Sequence, residues 1–267
     1  MSIQGTVIVR GGGDIATGTI HRLHQCGYQV LVLETESPTA IRRTVSFCEA
    51  IYDGETEVGN VAAVHVRTID QCEQVWLAGN VAVFIDIKAE CIKKLRPIAV
   101  VDAILAKKNY GTSMAMAPVT IALGPGFHAA KDVHAVIETA RGHNLGRVIY
   151  QGKAMPNTGI PGAIQGFRRE RVIYANTSGP LTIVHNIGSR VKTGEPIAMI
   201  GNIPVKAPID GLVRGMIRDN FQVHQGLKIA DIDPRIEEQD NCYTISDKAR
   251  CISGGVIEAL LFFSKRQ

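Results

Sequence analysis

The chain has 267 residues, 45% of them hydrophobic and 20% charged, with a formal net charge of +4. That length favours two parts over one average domain, although a single large α/β domain also fits, and the apolar fraction is ample for a buried core. So mild a charge, with 5% aromatic residues, argues against nucleic acid as a partner.

In chain order, Thr6–Arg10 (TVIVR) reads as a buried strand, followed by a glycine turn and a helix from about Asp14 to Gln25. Gln29–Glu34 is a second strand, and Pro38 starts a short helix, its ring suiting a first helical turn. Strands are expected at Val61–Arg67, Val81–Asp86 and Ile98–Asp102, with Val119–Leu123 and Arg147–Tyr150 extending the sheet. Asp132–Arg141 reads as a helix. Near-continuous Val/Ile runs suit parallel strands covered on both faces. Their alternation with helices predicts an α/β protein with a Rossmann-like, doubly wound parallel sheet over residues 1–166.

From about Ile160 glycine and proline recur, and the sequence repeats itself at an offset of 32 residues. Ala175 matches Ala207, Gly179 matches Gly211, Val191 matches Val223, Gly194 matches Gly226, Ile197 matches Ile229, Ala198 matches Ala230 and Ile200 matches Ile232. Two related hairpin units that bury their apolar faces on each other predict a small quasi-symmetric all-β sandwich or barrel over residues 167–235. Residues 236–267 form a C-terminal helical segment, with a helical pattern at Ile245–Lys265 interrupted by Gly254 and Gly255.

The chemistry-bearing pattern is RGGGDIATG after the first strand. Gly11, Gly13 and Ala16 fit G-x-G-x-x-A, and Glu34 ends the next strand where a carboxylate can accept hydrogen bonds from a ribose. Glycine lets the backbone approach a pyrophosphate, and free N–H groups at a helix start hold the anion. The alternative is a tight strand-to-helix turn that binds nothing. Gly12 and Gly18 complete the loop. Asp14 would repel phosphate unless it faces away, caps the helix or meets a cation; it reads as a helix cap or as a polar contact to an unusual ligand, and Arg10 serves either an ion pair or a phosphate.

A second glycine turn, Gly124-Pro125-Gly126-Phe127-His128, follows the Val119–Leu123 strand and is either an anion-binding concavity or a plain sharp turn. Asp86 and Asp102 end two other strands, at the edge where ligands of doubly wound sheets bind. His128, Asp132, His134, Glu138, Arg141 and His143 tempt as a metal set, but no H-x-x-x-H occurs and no metal is expected. No catalytic residue is legible from spacing. The six cysteines, Cys26, Cys48, Cys72, Cys91, Cys242 and Cys251, form no C-x-x-C pair and suit reduced thiols in a reducing compartment. MSIQG begins no leader, and no apolar run approaches the ~20 residues of a membrane span, so a soluble cytoplasmic protein is expected.

Two resemblances add to this. The repeat text around Gly188–Glu195 and Val205–Val213 resembles the biotinyl/lipoyl-type barrel-sandwich hybrid. A carrier lysine is not expected, because Lys206 lies within a strand beside Ala-Pro rather than on the hairpin. A docking or structural module fits better. Next, RGGGDIATG, ETESPTAIRR (Glu34–Arg43), ALGPGFHAAKDVHAVIETARGHNLGRVIYQG, KIADIDPR and ISDKARCISGGVIEAL together resemble the YqeB-type accessory proteins of the selenium-dependent molybdenum hydroxylase system, with an XdhC/CoxI-like NAD(P)-binding Rossmann region.

The resemblance implies a maturation factor that helps deliver, hold or modify the molybdenum cofactor. Its cofactor would be NAD(P) or a molybdopterin nucleotide, and its partners a molybdenum hydroxylase apoenzyme or other maturation factors. On that view Gly11, Gly13 and Gly18 shape a phosphate loop, with Glu34 near a ribose. Gly124, Gly126, His128 and Arg141 line the opposite wall. A homo-oligomer is expected. The alternatives are an NAD-dependent oxidoreductase and a non-enzymatic docking module.

Overall fold

The computed structural model describes residues 5–265, which divide into two compact units. The first comprises Met1–Pro38, Ser46–Thr158 and Ile245–Gln267; the second comprises Thr39–Val45 and Gly159–Thr244.

The first unit is built on one nine-stranded sheet. Its elements are β1 (Thr6–Arg10), α1 (Asp14–Gln25), β2 (Gln29–Glu34), α2 (Ala50–Asp53), β3 (Glu55–Val58), β4 (Val61–His65), α3 (Cys72–Leu77), β5 (Val81–Ile85), α4 (Ile92–Leu95), β6 (Ala99–Asp102), β7 (Val119–Leu123), β8 (Ala135–Ile137) and β9 (Val148–Ile149). The strand order is β3-β4-β5-β2-β1-β6-β7-β8-β9. All neighbours from β4 to β8 run parallel, while β3 with β4 and β8 with β9 are antiparallel. The sheet is therefore mixed rather than wholly parallel. The cause at one edge is local: β3 and β4 are joined only by Gly59 and Asn60, both at positive φ (60° and 63°), the geometry of a tight hairpin.

The chain leaves β1 to one side for β2, β4 and β5, then returns to the other side of β1 for β6, β7 and β8, so the strand order reverses between β1 and β6. Ile8, Leu31, Leu33, Ala82 and Val100 bury against Cys72, Ile92 and the half-buried Val75 and Trp76 of α3 and α4. Successive strand side chains alternate faces, which leaves Val7, Val9, Val30 and Val32, all fully buried, for the layer of α1 and the C-terminal helix. That helix, α5, is the last of the elements, after the eight strands of the second unit, and runs Asp247–Ser264 without a break at Gly254–Gly255. It packs on α1 and across β7, β8 and β9, and Ser246 caps it by accepting from the Ala249 N–H.

Two expected helices are absent. Asp132–Arg141 contains β8, because Ala135, Val136 and Ile137, all fully buried, complete the ladder beside β7. Tertiary pairing outweighs a pattern that suits a helix. After Pro38 the chain makes single 3-10 turns at Arg43–Val45 and Phe47–Glu49 instead of a helix.

The second unit contains β10 (Val172–Tyr174), β11 (Gly179–Ile183), β12 (Arg190–Val191), β13 (Pro196–Ile200), β14 (Ile203–Lys206), β15 (Gly211–Met216), β16 (Gln222–Val223) and β17 (Lys228–Asp233). They form two antiparallel four-stranded sheets, β10-β17-β15-β12 and β14-β13-β11-β16. The 32-residue repeat maps one onto the other, strand for strand: β10 to β14, β13 to β17, β11 to β15 and β12 to β16. Each sheet takes two strands from each copy. One apolar core serves both, with Leu181, Ile197, Leu212, Val213 and Ile229 fully buried. Ile197 and Ile229 are repeat equivalents, both with 0% exposure. Ile197→Ala and Ile229→Ala are each expected to cost about 3 kcal/mol in urea unfolding, as for any large core aliphatic, and to agree within about 1 kcal/mol. Among the described residues no helix is long and apolar enough to cross a membrane.

Candidate functional site

The turn from β1 into α1 has definite hydrogen-bond bookkeeping. The Gly11 N–H continues the ladder to the Leu33 carbonyl at 2.8 Å. The Gly12 N–H donates to Glu34 Oε1 at 2.6 Å, and the other carboxylate oxygen accepts from the Thr35 N–H at 2.9 Å. Glu34 thus occupies the place of an anion at the second glycine. Burial raises its pKa from the ordinary carboxylate range, and the two backbone donors oppose that shift. Over Gly12 the chain returns at Cys48, whose N–H donates to the Gly12 carbonyl at 3.0 Å; burial pushes the Cys48 thiol well up, away from reactivity. A Cβ on Gly11 would sit 3.0 Å from the Ala103 carbonyl oxygen.

The other half of the turn is open. Gly13 is the N-cap, with no side-chain cap bond, and nothing lies within 4 Å of a Cβ built there. The N–H groups of Gly13, Ile15 and Ala16 have no partner among the described residues. Asp14 is half-buried in the first helical turn. Gly18 faces the C-terminal helix, where a Cβ would meet that of Ala249 at 2.7 Å, so its small size serves helix packing.

Arg10 and Asp102 end β1 and β6 where the strand order reverses, and both are buried. Arg10 Nη1 donates to Thr112 Oγ1 at 2.5 Å, and that hydroxyl donates to Asp102 Oδ2 at 2.5 Å, with the Arg10–Asp102 ion pair at 3.8 Å. Arg10 Nη2 also donates to the Ile87 and Tyr110 carbonyls at 3.1 and 3.3 Å. Burial raises the Asp102 pKa, against the pull of Thr112, Arg10 and the Ile104 N–H. The network ties the segment after β6 to the sheet. Asp86, just past β5, accepts from the Cys91 N–H at 2.9 Å and holds the turn into α4.

The second glycine turn is the wall of a cavity of about 420 Å³, lined by Pro125, Gly126, Phe127, His128, Lys131 and Asp132, with Lys107 and Lys153–Ala154 among the rest. Gly126 lies at φ +114°, and a Cβ there would come within 2.7 Å of the Lys107 carbonyl carbon, so the turn and the Lys107–Lys108 backbone meet only across a glycine. Gly124 donates its N–H to the Ile137 carbonyl at 2.8 Å. The His128 N–H donates to Asp132 Oδ2 at 2.8 Å. His128 Nδ1 lies 2.8 Å from the Ala129 carbonyl, which can only accept, so Nδ1 carries the proton.

His134 is spent on Thr120, Nδ1 to Oγ1 2.8 Å. Glu138 is buried and accepts from the N–H groups of Thr139, Ala140 and Met155, which holds the loop after β8. Arg141 is exposed and pairs with Asp247 at 3.0 Å. Among the described residues no three His, Cys, Asp or Glu side chains could hold a metal ion together.

Gly124, Gly126 and His128 therefore belong to one turn, Arg10 and Asp102 to one ion pair, and Gly12 and Glu34 to one hydrogen bond. Lys107, Lys131, Lys153 and Thr112 were not singled out from sequence. The lysines sit on three separate loops and carry no local motif, whereas Thr112 could have been sought as the partner of a charged residue on a buried strand.

No protein-family model matches the chain. Over 255 residues it is 50% identical to the uncharacterized protein YqeB of Escherichia coli (strain K12), a match that covers 96% of this chain and 47% of YqeB. The chain spans about half the length of the curated relative it matches. Among solved structures, the product-bound ectoine utilization protein EutE (DoeB) from Ruegeria pomeroyi aligns over 86% of this chain and 85% of its own, at 11% identity and TM-score 0.27. A succinylglutamate desuccinylase/aspartoacylase from Rhodobacter sphaeroides aligns over 86% and 85%, at 10% identity and TM-score 0.27. Scores of that size carry no argument about fold or chemistry.

Proposed function

We propose, from the membership of the YqeB family that this likeness supports, that the chain is an accessory protein for a selenium-dependent molybdenum hydroxylase and holds a nucleotide-bearing cofactor at the carboxyl edge of a Rossmann-like sheet. The ligand class is NAD(P) or a molybdopterin nucleotide, both of which carry a pyrophosphate. The single observation that carries the binding half of the reading is the open start of α1, where the Gly13, Ile15 and Ala16 N–H groups lack partners beside free space. Unpaired donors on a helix dipole favour a phosphate there. The reversal of strand order between β1 and β6 adds to it, since ligands of open α/β sheets bind outside such points.

An NAD-dependent oxidoreductase is the weaker reading, because both Glu34 carboxylate oxygens already accept backbone N–H groups, from Gly12 and Thr35. The paired sheets of the second unit, with the likeness of their repeat to barrel-sandwich modules, support a docking role for it.

Full-length tagged protein, captured from cells grown with molybdenum and selenium and analysed by native mass spectrometry, should carry a nucleotide-sized mass increment and bring down a hydroxylase subunit or a further maturation factor. Capture of neither would end the proposal. Gly13→Asp isolates the ligand site: the position has φ −67° and open space, so the fold should persist with an unchanged melting temperature. A carboxylate at the phosphate position should weaken NAD(P) or pterin-nucleotide binding by about tenfold or more in titration calorimetry.

A further inference from the structure

The cavity at the second glycine turn has a charge distribution that the glycine loop does not explain. Lys107, Lys131 and Lys153 reach it from three different loops, against one carboxylate, Asp132, which already accepts from the His128 N–H. Among the described residues none of these three ammonium groups has an ion pair or hydrogen bond, whereas Lys94, Lys192 and Lys228 each sit within 4 Å of an aspartate. The Gly126 and Phe127 N–H groups, on the turn itself, also lack partners among the described residues. The loops that form the walls hold Leu105, Lys107 and Ala130 at left-handed φ of 60° to 65°.

We infer that this cavity binds the phosphate or diphosphate end of a small molecule. Lysine is a compact point charge that attracts phosphate oxygens without demanding one geometry, and N–H groups at a turn of this kind form an anion-binding concavity. His128, protonated at Nδ1, presents Nε2 as its remaining polar atom. Phe127 and Ala154 supply apolar wall for the non-phosphate part. A volume of about 420 Å³ exceeds what a lone phosphate fills and lies within the roughly 300–1,000 Å³ of small-molecule sites. This site does not depend on the nucleotide reading at Gly13.

Inorganic pyrophosphate, with orthophosphate and sulfate for comparison, is titrated into the full chain at constant ionic strength by calorimetry and by amide-resolved NMR. Pyrophosphate should bind saturably and shift the Gly126 and Phe127 amide signals. Lys131→Ala/Lys153→Ala should weaken it at least tenfold, while the equally charged control Lys93→Ala/Lys94→Ala changes it less than twofold. Both pairs are exposed, so melting curves should match the parent. The inference is overturned if millimolar pyrophosphate does not bind, or if the two double variants weaken it equally, which marks a general charge effect. Gly13→Asp separates the two sites: retained pyrophosphate binding supports the lysine cavity even where nucleotide binding fails. Loss of pyrophosphate binding in that variant would assign the anion to the helix start and overturn the inference.

Discussion

Replacing Asp102 by alanine is expected to lower the unfolding free energy by about 3–5 kcal/mol, the usual cost of stranding a buried charge. Arg10 is 3% exposed, and among the described residues its guanidinium meets a carboxylate only at Asp102, partly through the Thr112 hydroxyl. Its remaining bonds, to the Ile87 and Tyr110 carbonyls, offer dipoles and no counter-charge. Asp102→Asn keeps an acceptor for Thr112 but still leaves Arg10 without its counter-charge, and should cost about 3 kcal/mol, the low end of that range. The double change Arg10→Met/Asp102→Leu removes both charges and should recover most of the alanine loss. Urea denaturation at neutral pH followed by circular dichroism ranks the three variants. A single alanine no worse than the double variant would show that the pair is solvated and the network inessential.

Adjacent glycines in the C-terminal helix should respond with opposite signs. Helix propensity alone favours alanine over glycine by about 1 kcal/mol at either position. At Gly254 an added methyl would lie 3.5 Å from Arg22 Nη1, an ordinary contact, so Gly254→Ala should gain close to that amount. At Gly255 it would run into the Gly146 carbonyl oxygen, a backbone atom that cannot rotate away. Gly255→Ala should therefore lose about 2 kcal/mol net, overpacking outweighing propensity. Thermal melts of both variants decide this, and a stabilised Gly255→Ala would mean that the loop around Gly146 yields freely.

What was legible in the sequence was local. TVIVR, the glycines and QVLVLE placed β1, α1 and β2 at their observed limits, because a short apolar run ended by glycine needs no distant partner to be recognised. The 32-residue repeat also announced a quasi-symmetric β unit, but as two hairpin units packed on each other; each observed sheet instead takes two strands from each copy, a pairing that no spacing shows. Non-local effects were not legible. β8 is three residues long and exists through its pairing of Ala135 with Ile121, which no spacing announces. Glu34 stood at the right strand end, yet the sequence could not tell whether its carboxylate would face a ribose or turn back onto the Gly12 N–H. The lysines of the cavity lie on loops near 107, 131 and 153, and only the tertiary path brings them to one concavity.

The placement of α5 has a consequence for the order of events on the ribosome. The strands it covers, β7 to β9, are complete by residue 149, whereas the helix begins at Asp247. At roughly 5–20 residues per second of synthesis, that face of the nascent sheet stays uncovered for roughly 5–20 s. During this interval exposed valine and isoleucine side chains are available to chaperones or to neighbouring nascent chains. Loss of the final helix would make that transient exposure permanent.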